Sequence, residues 1–230
     1  LTMIDRKFIR SNGAEADIIA DAVADSYKRL IYPAIETQIK NEFKEKADDE
    51  AIKVFGENLR QLLLAPPLGQ KAVLAVDPGF RTGCKVVCLD SNGDFKEYKT
   101  IFPHPPQNQV GDAKEMIKNL VYKYQIQAIG IGNGTASRET QSILQEITFD
   151  RKVDIYMVNE SGASIYSASD VAREEFPEMD LTIRGAISIG RRLMDPLAEL
   201  VKIDAKSIGV GQYQHDVHHV DIGQIGRAHV

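Results

Sequence analysis

Asp77 is the residue in this sequence best placed to do chemistry. It ends the apolar run KAVLAVD and is followed by Pro78-Gly79 and then by Gly83. A carboxylate at the carboxyl end of a central strand can face a cleft, and glycines beside it let the backbone turn tightly against a ligand. Such an aspartate can coordinate a divalent metal or stand near a phosphate. The plainer reading is a turn-forming Asp-Pro-Gly with no ligand. In IGNGTASRE (131–139) a strand runs through a glycine turn into a helix. Thr135 or Ser137 can cap that helix, and its free N–H groups with Arg138 can hold an anion. VNESGAS (158–164) is a second such junction, with Glu160 at the strand end and Ser161 as the expected cap.

Between Leu181 and Met194 stand Arg184, Arg191 and Arg192, and no acid. At helical spacing Arg184, Ser188 and Arg191 share one face, while Ile183, Ile187 and Met194 share another. The apolar side would dock the helix and leave the arginine side to meet phosphates. The alternative is a solvated face paired with Glu174, Glu175 and Asp195.

The elements that must position these residues follow from the apolar pattern. From Lys71 onward, KAVLAVD, KVVCLD and FKEYKTI read as three strands, the last two joined by a turn at Ser91-Asn92-Gly93. A proline-rich loop precedes a helix expected from about Gln107 to Tyr124. AIGIG is a fourth strand, 137–147 a helix and DIYMV a fifth strand; helices are expected over 163–175 and 182–200. The order βββαβαβαα predicts an α/β fold, a mixed sheet with helices on its faces. The first three strands should be antiparallel, with Asp77 at the edge of the central one. Before Pro66-Pro67 the signals are helical: Ile19, Val23, Tyr27, Leu30 and Ile31 mark one helix, which Pro33 should end or kink. Ile35, Ile39 and Phe43 continue on a second face. Asp48 or Asp49 can cap a third helix bearing Ile52, Phe55, Leu59 and Leu62.

The expected organisation is therefore a partial N-terminal helical region over 1–66, an α/β domain over 71–200 and a connecting segment over 201–217. A non-native tail is expected over 218–230, because the closing IGRAHV back-translates to something like a sequencing-library adapter. His218, His219 and His229 accordingly carry little weight as metal ligands. Cys84 and Cys88 fall on one face of a strand, too far apart for a routine disulfide, and read as buried thiols in a reducing compartment. The net charge of −5 argues against a uniformly basic nucleic-acid binder but leaves room for local basic patches. No apolar run approaches the roughly 18–20 residues that span a bilayer, and no signal-peptide pattern opens the chain, so a cytoplasmic location is expected.

VDPGFRTG, IGNGTASRET, VNESGASIYSAS and the long run from Arg184 to Val217 closely resemble the Tex family of bacterial transcription accessory proteins. The resemblance covers about Ala51 to Val217. It implies a YqgF-like domain of the RNase H fold, which the family sets among an N-terminal helical region, helix-hairpin-helix elements and an OB-fold RNA-binding domain. The last two are absent from this sequence, and their functions are not carried over. The implied partners are nucleic acid, RNA or DNA, and transcription machinery, with no membrane.

The resemblance also bears on catalysis. RuvC-like nucleases converge three or four carboxylates on two metals. Asp77 matches the first-strand acid and Glu160 a second, but Asn133 stands where resolvase-type proteins carry an acid. Arg184-Gly185 stands where another is expected, and an arginine there would repel a cation. Asp77 and Glu160 thus read as vestigial, with no cofactor. The expected function is a nucleic-acid-binding scaffold using Arg138, Arg184, Arg191 and Arg192. The alternative is a metal-dependent structure-specific nuclease using Asp77, Glu160 and Asp170 with magnesium or manganese. An actin-like ATPase ranks below both, because only one such unit fits after Lys71.

Overall fold

The computed structural model describes residues 2–9 and 13–209. The expectations for 218–230, including His218, His219 and His229, and for the connection beyond residue 209 lie outside the described residues. The chain forms two compact units, Leu1–Lys53 and a second beginning at Val54.

The first unit is helical: α1 (Thr2–Phe8), α2 (Ala14–Ser26), a π-helical turn over Tyr27–Ile31, and the start of α3 (Tyr32–Leu63). Pro33, expected to end or kink the helix, does not end it, and the π-helical turn over Tyr27–Ile31 stands just before it. The proline falls in the first turn of α3, where its missing N–H and its ring are tolerated. Asp48 and Asp49 likewise lie inside α3 instead of capping a new helix, and Asp48 pairs with Lys44 one turn earlier at 2.7 Å. In the last turns of α3, Phe55, Leu59 and Leu63 are buried.

The second unit is built on a five-stranded sheet: β1 (Val73–Asp77), β2 (Cys84–Leu89), β3 (Phe95–Ile101), β4 (Ala128–Gly132) and β5 (Asp154–Val158), in the order β3-β2-β1-β4-β5. β1, β2 and β3 pair antiparallel, whereas β4 runs parallel to β1 and β5 parallel to β4. The apolar run of β1 is continuous because both faces of the sheet are covered. Leu74 and Val76 pack with Ile117, Leu120 and Val121 of α4 (Val110–Tyr124) and Leu144 of α5 (Ser137–Gln145). Val73 and Ala75, on the alternate face, pack with Ile183, Ala186 and Ile187 of α8 (Leu181–Met194). Cys84 and Cys88 are free and buried on the α4 side.

Two helices read as single are broken. The first splits at Ser169 into α6 (Ala163–Ala168) and α7 (Asp170–Glu175), with the Ser169 hydroxyl accepting the Ala172 N–H. The second splits at Asp195, whose carboxylate accepts the Ala198 N–H and so starts α9 (Pro196–Leu200) with proline in its first turn. Among the described residues no helix is long and apolar enough to cross a membrane.

Candidate functional site

Because β1 and β4 run parallel, their carboxyl ends open at the same edge of the sheet, with the loops 78–83 and 133–136 above them. In mixed α/β sheets this edge is where ligands are met. A cleft of about 370 Å³ lies there, and Asp77 and Glu160 both line it, together with Ser164 and Ser167 of α6 and Thr182 and Gly185 of α8. Burial pushes the Asp77 carboxyl up to about 6; the nearby Glu160 charge adds to this and Lys85 opposes it.

Glu160 is held from several sides. Its backbone N–H donates to the Asn133 Oδ1 at 3.1 Å. The Arg192 guanidinium donates to the carbonyls on either side of it, Asn159 O at 3.1 Å and Ser161 O at 2.6 Å. Its carboxylate lies against Gly132 and Gly134, and a Cβ on either glycine would collide with it. Asn133, standing where an acid was expected, therefore serves to position Glu160.

Among the described residues no third acid joins Asp77 and Glu160 in lining the cleft. A Cβ on Gly185 would lie 3.9 Å from the Asp77 Oδ2, so the α8 position facing Asp77 has no side chain to offer. Arg184 does not face the cleft as a repelling charge. It is 7% exposed and donates to the carbonyls of Phe176 at 3.0 Å, Pro177 at 3.4 Å and Ser167 at 3.5 Å. Asp170, the other acid of the nuclease alternative, is on the surface with a side chain 88% exposed and is paired with Arg173. Among the described residues no group of three or more His, Cys, Asp or Glu side chains is placed to hold a metal ion. Two carboxylates beside a glycine do not fit a two-metal centre.

The arginine face expected on α8 is not open. Ser188 is fully buried, and Arg192 is 4% exposed with its guanidinium on the two carbonyls beside Glu160. Arg191 donates to Gly93 O at 3.0 Å, pairs with Glu175 at 3.0 Å and lies over the Phe176 ring. The physical reason is that α8 packs on the sheet with one side and is covered on others by α6, α7 and the β2–β3 turn. Long guanidinium side chains can satisfy carbonyl groups in such places that no shorter residue reaches.

The expected caps also differ. α5 begins after Ala136 in the left-handed region (φ 63°), and neither Thr135 nor Ser137 caps it; α6 begins after Gly162 (φ 74°), with no cap from Ser161. Arg138 is exposed in the first turn of α5.

A census of cations shows one residue the sequence reading missed. From Lys71 to Leu200 there are 15 basic and 18 acidic residues. Lys96, Lys99, Lys114, Lys123, Arg151, Lys152, Arg173 and Arg191 are in ion pairs. Lys85 donates to Thr82 O and Gly83 O, and Arg184 and Arg192 are buried. Among the described residues of this segment Lys71, Arg81, Lys118 and Arg138 remain with neither an ion pair nor a side-chain hydrogen bond to a carbonyl. Lys71 precedes β1 at the far edge and Lys118 lies on α4, but Arg81 and Arg138 follow the carboxyl ends of β1 and β4. The signal for Arg81 was its position in VDPGFRTG, four residues after Asp77.

Burial disfavours the thiolate form of both cysteines. Burial raises both thiols, pushing Cys88 up to about 12.

A mixed sheet ordered β3-β2-β1-β4-β5, with three antiparallel strands and an acid ending the central one, is an α/β domain of the RNase H-like class. Residues 71–194 match the family described as the Tex protein YqgF-like domain, and the chain belongs to that family. It is 52% identical to the uncharacterized protein YdcI of Bacillus subtilis over 93% of this chain and 30% of that protein. It is 44% identical to the transcriptional accessory protein Tex of Neisseria gonorrhoeae over 94% of this chain and 28% of the relative. The chain thus spans about 30% of the length of the curated relatives it matches. A solved structure of RuvC from T. thermophilus with a Holliday junction substrate overlaps 57% of this chain and 95% of its own, at 11% identity and a TM-score of 0.41.

Proposed function

We propose that this chain is a nucleic-acid-binding scaffold domain of a cytoplasmic transcription accessory protein, and that it binds without cutting. The observation that carries this reading is the pair of unpartnered guanidinium groups at the carboxyl ends of β1 and β4, Arg81 on the loop after β1 and Arg138 in the first turn of α5. Between Lys71 and Leu200 the acids outnumber the bases, 18 to 15, so an average field cannot attract a polyanion. Attraction has to come from cations that no acid or carbonyl already holds, and Arg81 and Arg138 are exposed just after the carboxyl ends of β1 and β4. The relative's description as a transcriptional accessory protein supports the same role. Arg184, Arg191 and Arg192 take no part in the interface in this reading.

The test is a binding titration of the 230-residue chain against labelled oligonucleotides across a salt series. Binding should weaken with salt, and Arg81→Ala with Arg138→Ala should flatten log K against log salt by about 1.4, at roughly 0.7 for each single-strand phosphate contact. Affinity and slope unchanged in the folded double variant would overturn the assignment.

A metal-dependent structure-specific nuclease is the second reading. One observation favours it: Asp77 and Glu160 share the cleft. The glycine at 185 weighs against it, and magnesium or manganese belongs to this reading alone. Cleavage of branched or single-stranded substrates with either metal, abolished by Asp77→Asn, would put the nuclease in place of the scaffold.

A further inference from the structure

We infer that the loop between β1 and β2 is a stacking platform for an unpaired base, formed by Phe80 with Arg81 and Arg138 as its flanking phosphate contacts. This rests on the nucleic-acid reading above and specifies the form of ligand. Phe80 is 37% exposed, on the edge of the sheet where Arg81 and Arg138 stand without partners. Its ring meets His104 at a centroid distance of 5.3 Å and an interplanar angle of 68°, a tilt that leaves at least one ring face uncovered by His104. His104 is buried, and its Nε2 lies 2.8 Å from the Oγ1 of buried Thr140 on α5. His104 thereby ties the aromatic loop to the helix that begins with Ser137 and Arg138.

The carboxyl end of the loop is tightly packed. Gly83 closes the loop at φ +74°, and a Cβ there would meet the Phe102 ring at 2.7 Å and the Ile101 carbonyl at 2.8 Å. Packing of the Phe80 ring on buried His104, with the loop end closed against Phe102, lowers the ordering cost of binding. Every base has a π-face, but a duplex hides it in the stack, so an exposed ring beside free guanidinium groups selects unpaired strands. Glu139 also stands beside Arg138, and its charge disfavours a second phosphate close to that site.

The experiment compares short single-stranded RNA and DNA oligonucleotides with the duplex of the same sequence, each titrated with the 230-residue chain. Phe80→Leu keeps apolar cover over His104 but removes the stacking face. It should lower single-strand affinity on the order of 10-fold, leave the salt slope unchanged and leave duplex binding as it was. Phe80→Tyr should retain the wild-type affinity. Single-strand binding unaffected by Phe80→Leu, or an equal loss on single strands and duplex, overturns the platform while the Arg81 and Arg138 assignment stands. A chain that binds no nucleic acid overturns both. Preference for RNA or for DNA within the single-strand arm identifies the source of the strand.

Discussion

Replacing Arg192 by Met should destabilise the second unit severely while touching nothing on the surface. The substitution keeps most of the apolar stem and removes the guanidinium, which is 4% exposed and donates to Asn159 O at 3.1 Å and Ser161 O at 2.6 Å. Burial lowers the pKa of this arginine, opposed by the charges of Glu199 and Glu160, so its charge resides in a place that costs solvation and is held by those bonds. Each charge-assisted bond contributes about 1.5–3 kcal/mol, and loss of the buried guanidinium leaves both carbonyls without that donor and removes a charge that offsets Glu199 and Glu160. The combined loss is about 3–5 kcal/mol. For a unit of this size it corresponds to a fall in Tm of roughly 6–20 °C. The assay is thermal and urea unfolding followed by circular dichroism at neutral pH, with Arg192→Lys alongside. A lysine ammonium restores the charge, but its shorter stem ends near the guanidinium carbon and falls short of the Nη1 that donates to both carbonyls, so it should recover less than half of the loss. An Arg192→Met protein melting within about 2 °C of wild type would refute the assignment of this arginine to the frame.

Two further outcomes concern pH. Asp77 has its carboxyl raised to about 6, so its charged form is disfavoured in the fold, and its contribution to stability is fully present below about 3.9 and lost as pH rises through about 6. Asp77→Asn should therefore raise Tm at pH 7–8, by an amount worth about 1–3 kcal/mol, and leave Tm nearly unchanged at pH 4. It should also leave nucleic-acid affinity unchanged or slightly stronger. A Tm gain that is the same at both pH values would contradict the cause given. His104 is shifted the other way: burial lowers its pKa, against a smaller opposing effect of Glu139. Its contribution is present above about 6.5 and lost as pH falls toward the depressed value, so His104→Gln should flatten the fall of Tm below that pH; an unaltered acid limb would exclude the buried ring as its source.

Much of the frame was legible in the sequence because it depends on local pattern. Val73–Val76 read as a buried strand because four apolar residues in a row need cover on both faces, and the Asp-Pro-Gly after them had to turn. That placed Asp77 at the carboxyl end of a central strand, and the glycines and Glu160 of VNESGAS beside the same edge. The breaks at Ser169 and Asp195 were missed, although both residues are capping types. A helical period continues across a one-residue interruption, so periodicity alone joins what the backbone divides.

Only the tertiary structure decided what each charge does. Helical spacing correctly put Arg184 and Arg191 away from Ile183 and Ile187, but a period says which residues share a face and not what covers it. The carbonyls that take up Arg184 and Arg192 come from residues 7 to 33 positions away, and the acid that pairs with Arg191 is Glu175. Arg81, by contrast, carried no helical or capping signal and stands exposed on the loop after β1. Hydrogen bonds and ion pairs are satisfied through space between segments that the chain brings together, so whether a guanidinium is framework or free was set when the sheet and α8 closed on each other.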